Sequence, residues 1–182
     1  MDECKVIAVT NQKGGVGKTT TTVNLGVGLA RQKKKVLLID MEPQSSLTLS
    51  LGFRNPDNLY PTTTDVMNNV IEDGEITKEF SVYKSSEGVD LLPSDLQLCG
   101  LEVQLVNEMS REQVLKTYVD TVKDKYDFIL IDCMPSLGML TLNALCAADS
   151  VIIPTQPEFL SAKGVEHLIG TIGRIKKRMK MC

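Results

Sequence analysis

No stretch of the sequence approaches the roughly 20 consecutive apolar residues that a membrane-spanning helix needs. The first ten residues, MDECKVIAVT, run straight into a strand-like segment without the layout of an export signal, so a cytoplasmic location is the expectation. There is no CxxC pair, and the five cysteines (Cys4, Cys99, Cys133, Cys146 and Cys182) are too scattered for a zinc site. An odd number of thiols in such a chain reads as reduced side chains, mostly filling the core. An excess of positive charge is also missing. The formal net charge is -3, so the average surface makes no electrostatic case for nucleic acid. Repeats and low-complexity linkers are absent, and 182 residues suit a single domain over 1–182 with room for a real core.

What is present is a set of short, continuous apolar runs. Lys5 to Thr10 (KVIAVT), Lys35 to Asp40 (KVLLID), Phe128 to Asp132 (FILID) and Ser150 to Pro154 (SVIIP) show no alternation, as expected of parallel strands buried on both faces. Helical stretches lie between them, at Lys18 to Gln32, over roughly Leu96 to Lys123 as one helix or two, and at Leu140 to Ala147. Asn55 to Ser94 is more polar, with room for a short helix over Asp65 to Ile71 and a strand over Val89 to Leu92. Strand and helix alternate, so the expected fold class is α/β, a doubly wound, mostly parallel sheet.

The strongest chemical signal is Asn11-Gln12-Lys13-Gly14-Gly15-Val16-Gly17-Lys18-Thr19-Thr20, placed between the first strand and the first helix. That position is what a phosphate-binding P-loop requires. Three glycines in four positions let the backbone approach an anion with no Cβ in the way. The helix opening near Lys18 adds unpaired amides and its positive end. Lys18 can reach the β- and γ-phosphates of a nucleotide, and the Thr19 hydroxyl can ligate Mg²⁺. The expression GxxxxGK[ST] would need glycine at position 12, where this chain has Gln12, so the match is to the variant KGGxGKT with an extra lysine, Lys13.

KGGVGKTT with Thr21, Thr22 and Asn24 resembles the deviant Walker A box of the ParA, Soj and MinD ATPases. The resemblance implies that Asn11, Lys13, Gly14, Gly15, Val16, Gly17, Lys18, Thr19 and Thr20 bind ATP or ADP. It also implies that Lys13 reaches into the nucleotide of a second subunit, in a dimer that sandwiches two ATP molecules. A cation supplied across an interface neutralises charge developing on the γ-phosphate, so ATP binding and dimerisation become coupled.

Acidic partners follow at strand ends. Asp40-Met41-Glu42-Pro43-Gln44 closes a strand expected beside the P-loop strand, with its carboxylates in the ligand crevice of an open sheet. It resembles the family's DxDPQ box with Glu42 in place of the second aspartate. The resemblance implies that this second acid positions the attacking water and that Asp40 acts near the metal; the other reading is of solvated acids at a strand end. Asp132, closing FILID, is the candidate Walker B carboxylate, holding Mg²⁺ through water beside Thr19. Met134 stands where the family has proline in the segment Cys133 to Gly138, and loss of proline's fixed φ is expected to change the stiffness of that turn. The following segment, through Pro154 and Gln156-Pro157-Glu158, resembles the family closely.

Three rival readings remain at the level of sequence. Cys99 and Cys133 raise an iron–sulfur cluster, because the nitrogenase iron protein shares this P-loop variant. The run Arg174 to Lys180 (RIKKRMK), five of seven basic, is either a helix end whose cations complement the macrodipole or a non-specific DNA contact. Ile172, Ile175 and Met179 among these basics leave room for a MinD-type amphipathic membrane helix. The expected function is an ATP- and Mg²⁺-dependent dimerisation switch with slow hydrolysis, acting in chromosome or plasmid partitioning with a ParB-like stimulator. An interaction module without turnover is the alternative of another class. Because family members continue beyond the matching segment, base selectivity and DNA binding are expected to be weakened, with phosphate binding retained.

Overall fold

In the computed structural model, residues 3–74, 82–157 and 159–179 are described. Glu158, Lys180 and Cys182, singled out above, lie outside them. The expected strands form as β1 (Lys5–Val9), β2 (Val36–Met41), β4 (Asp90–Leu92), β5 (Phe128–Cys133) and β6 (Ser150–Ile152), with β3 (Tyr83–Lys84) as an addition. Their spatial order is β3-β4-β2-β5-β1-β6, parallel throughout except for the antiparallel pair β3 and β4.

Alternate residues of the central strands feed two separate cores, because successive side chains leave a strand on opposite faces. Leu37, Ile39, Met41, Ile129 and Ile131 point to one face, and Val36, Leu38 and Leu130 to the other. Every residue of β2 is buried, which is why its sequence reads as an unbroken apolar run closed by a carboxylate.

Helix α1 (Lys18–Arg31) and α2 (Ser46–Ser50) cover the second face. The first face carries α3 (Thr63–Ile71), α4 (Leu98–Leu105), α5 (Val114–Val122), α6 (Met139–Ala147) and α7 (Phe159–Met179). The stretch read as one or two helices over Leu96 to Lys123 is thus two, α4 and α5. The start of α3 is written locally: the Thr62 side chain accepts from the Asp65 N–H while the Asp65 carboxylate accepts from the Thr62 N–H. On α5, Val114, Leu115, Tyr118, Val119 and Val122 make one buried stripe at helical spacing.

One expectation about the sheet needs correction. β2 is not beside the P-loop strand; β5 lies between them and pairs with both.

Candidate functional site

Because β1, β2 and β5 run in parallel, the segments following all three open at one end of the sheet. The loop after β1 turns through Gly15 at φ 71° and Gly17 at φ 88°, the left-handed region in which a side chain is strained. Gly17 is also the N-cap of α1, and the first turn of that helix holds no acidic side chain. Its positive end is therefore left for an external anion. Lys18 is only 8% exposed, and its ammonium donates to the Lys13 carbonyl at 3.3 Å, curling the loop over itself. Gly14, Gly15, Gly17, Lys18, Thr19 and Thr20 line an open cavity of about 390 Å³, whose other wall holds Glu42, Ser46, Ser50 and Pro135.

The structure sorts the remaining site residues. Val16, half-buried, belongs to the same loop. The Asn11 side chain is turned inward: its amide donates to the Pro154 carbonyl at 2.8 Å and its oxygen accepts from the Lys13 N–H at 3.0 Å. It straps the loop to the segment after β6, a role the sequence did not show. The Lys13 ammonium donates to Gln156 Oε1 at 3.2 Å, 143 residues away along the chain.

Asp132 is buried at the end of β5. Its Oδ1 accepts from the Thr22 hydroxyl at 3.2 Å, while Oδ2 is buried with no hydrogen-bond partner among the described residues. Burial pushes its carboxyl up to about 6, with the Thr19 and Thr22 hydroxyls pulling the other way. An orphaned oxygen beside Thr19 is a place for a metal-bound water, so the residues present fit Mg²⁺. Among the described residues no cluster of three or more His, Cys, Asp or Glu could hold a metal by itself.

Asp40 departs from expectation. It is fully buried and does not line the cavity. Oδ1 accepts from the Glu42 N–H at 3.1 Å, and Oδ2 accepts from the N–H and hydroxyl of Thr48 at 2.9 and 2.7 Å. Its oxygens hold the turn into α2, because those amides would otherwise be buried unpaired. Glu42 is the acid that reaches the cavity wall.

A family model described as an AAA domain matches residues 4–181. The sporulation initiation inhibitor protein Soj of Bacillus subtilis is 45% identical over 175 residues, 96% of this chain and 67% of that protein. The chain belongs to the ParA/Soj family of partition ATPases. The chromosome partitioning protein ParA of Myxococcus xanthus is 42% identical, over 95% of this chain and 59% of that one. A solved structure of cobyrinic acid a,c-diamide synthase from Mycobacterium smegmatis with bound ADP and magnesium superposes with a TM-score of 0.86 at 40% identity, covering 96% of this chain and 69% of that one. The chain spans from about half (54%) to about two thirds (67%) of the length of the curated relatives it matches. Residues 11–20, Glu42 and Met134 all lie within the matched residues 4–181.

The cysteine reading finds no support in the fold. Cys133 is buried at the end of β5 with its thiol against the Ile131 carbonyl at 3.8 Å, while Cys99 is exposed on α4. Burial pushes the Cys133 thiol far above its usual range. Of the apolar residues weighed for a MinD-type tail, Ile172 and Ile175 are half-buried and pack against the main core near the fully buried Leu168, whereas the Met179 side chain lies outside the described ones. Among the described residues no helix is long and apolar enough to cross a membrane.

Proposed function

We propose that this chain binds ATP with Mg²⁺ in the cavity over β1, β2 and β5, and works as an ATP-dependent dimerisation switch with slow hydrolysis in chromosome or plasmid partitioning. The observation that carries the reading is the buried Lys18 set beside the orphaned Oδ2-bearing Asp132 at the mouth of a glycine-turned helix start. Structures of a 40% identical protein with ADP and magnesium, and with an ATP analog and magnesium, support the ligand assignment.

In this reading the amides of Gly14 to Thr20 cradle the phosphates, and Lys18 neutralises the β- and γ-oxygens. Thr19 Oγ1 and, through water, Asp132 would hold Mg²⁺, which would supply further charge neutralisation to the phosphates. Glu42 orients the attacking water, and Asp40 anchors the Glu42 turn. Lys13 leaves Gln156 and enters the nucleotide of a second copy, so the γ-phosphate decides whether two chains stay together. The partners are a second copy of the chain, a ParB-like stimulating protein and, through basic residues including Arg174 and Lys177, non-specific DNA. The setting is cytoplasmic, at the nucleoid where DNA binding is retained.

Calorimetry and light scattering test this together. ATP with Mg²⁺ is taken up and doubles the scattering mass, whereas ADP binds without doubling it. A folded chain that binds neither nucleotide removes the assignment.

A further inference from the structure

We propose that Ser94, two residues beyond β4, is a positioning residue that sets the direction of the Glu42 side chain, with Ser45 as its partner. The inference rests on Glu42 being the carboxylate that orients the attacking water.

The observations are hydrogen bonds in a closed, buried arrangement. Ser94 is fully buried and Ser45 is 3% exposed. The Ser94 hydroxyl donates to the Glu42 carbonyl, 52 residues away in the chain, and the Ser45 N–H donates to the same carbonyl at 2.8 Å. The Ser45 hydroxyl lies 3.0 Å from the Ser94 carbonyl oxygen and 3.2 Å from its hydroxyl oxygen. On the other side the Glu42 N–H donates to Asp40, while the Ser94 N–H donates to Thr48 Oγ1 at 3.3 Å, whose hydroxyl donates to Asp40 in turn. Every backbone polar group of Glu42 is therefore engaged, and the side chain is left facing the cavity it lines.

Two physical points raise this above ordinary packing. Ser45 sits at φ 55°, in the left-handed region, without being glycine. Such a backbone persists only where surrounding contacts over-determine it, and the paired hydroxyls supply those contacts. Glutamate also has one more side-chain torsion than aspartate, so its carboxylate sweeps a wider arc from a given Cα. Holding the Cα still is what keeps that arc useful, since a displacement of about 1 Å at a reacting group costs on the order of 100-fold.

The experiment measures phosphate release and ATP affinity for the parent chain, Ser94→Ala, Ser45→Gly, Glu42→Ala and the Ser94→Ala/Glu42→Ala double variant. Ser94→Ala is expected to lower kcat by about tenfold with ATP affinity unchanged, and to add no loss to Glu42→Ala. Ser45→Gly accepts the left-handed backbone while removing the hydroxyl; it is expected to stay folded and to lose turnover likewise. It decides the matter where Ser94→Ala does not fold. An unchanged kcat, an equal loss of affinity, or an additive loss in the double variant overturns the proposal. A parent chain that binds ATP but releases no phosphate also overturns it, leaving the nucleotide site intact, whereas failure to bind ATP removes both.

Discussion

Asp40 and Asp132 stand opposite each other in register on the neighbouring strands β2 and β5, yet their oxygens are used differently. Asp40 spends both on Glu42 and Thr48, whereas Asp132 keeps Oδ2 unpartnered inside the protein. One carboxyl group is committed to shaping the site. The other keeps an acceptor that a metal-bound water could use, and a buried acceptor left unpaired costs about 1–3 kcal/mol.

The pair makes the nucleotide-free protein sensitive to pH. Burial raises the Asp132 carboxyl to about 6 and the Asp40 carboxyl to about 7, both above the unfolded value near 3.8. A folded state that holds protons more tightly gains stability in acid, so this contribution is full below about pH 4 and is lost as pH rises through about 6 to 7. The melting temperature of the nucleotide-free chain is expected to be higher at pH 5.5 than at pH 8. Asp132→Asn flattens the part centred near 6 and raises stability at pH 8 by about 3 kcal/mol. The same variant weakens Mg²⁺-dependent ATP uptake. A parent chain that melts lower at pH 5.5 contradicts this account.

Lys18→Ala removes a cation that is 8% exposed and set at the start of α1. Calorimetry is expected to show ATP affinity falling by at least about 100-fold, because charge-assisted contacts to phosphate are among the strongest available. Circular dichroism should show the fold retained. Unchanged affinity would place the triphosphate elsewhere.

Lys13→Ala separates binding from assembly. Its ammonium touches Gln156 rather than the cavity wall, so ATP affinity is expected to stay within about threefold of the parent. Light scattering with ATP should then show no doubling of mass. Dimers of undiminished stability would show that this lysine does not act across an interface.

Leu168→Ala tests whether α7 is part of the core. The side chain is fully buried, so urea unfolding is expected to show a loss of about 2–4 kcal/mol. Ile169, 57% exposed one position along, should lose under about 0.5 kcal/mol on the same change. Equal small effects would mean that α7 is not held by the core, and would reopen the lipid-seeking reading.

Much of the scaffold was legible because its signals are local. Runs such as KVLLID and FILID declare strands buried on both faces, and a glycine-rich turn between strand and helix declares an anion site. The two-residue β3 and the five-residue α2 carry too few residues for a period to show, and both passed unnoticed. The expected neighbour relation of β1 and β2 failed because pairing order is a property of the whole sheet.

The sequence alone determined the alternating architecture, the phosphate loop and the acids that close β2 and β5, since each follows from residues within a few positions of one another. Only the tertiary structure decided what those acids do. Asp40 turned inward to α2, Glu42 came to be held by Ser94, and Lys13 met Gln156 across 143 residues. Hydrogen bonds of that kind depend on which strands lie side by side and which loops meet at their ends, and no local pattern of side chains encodes that.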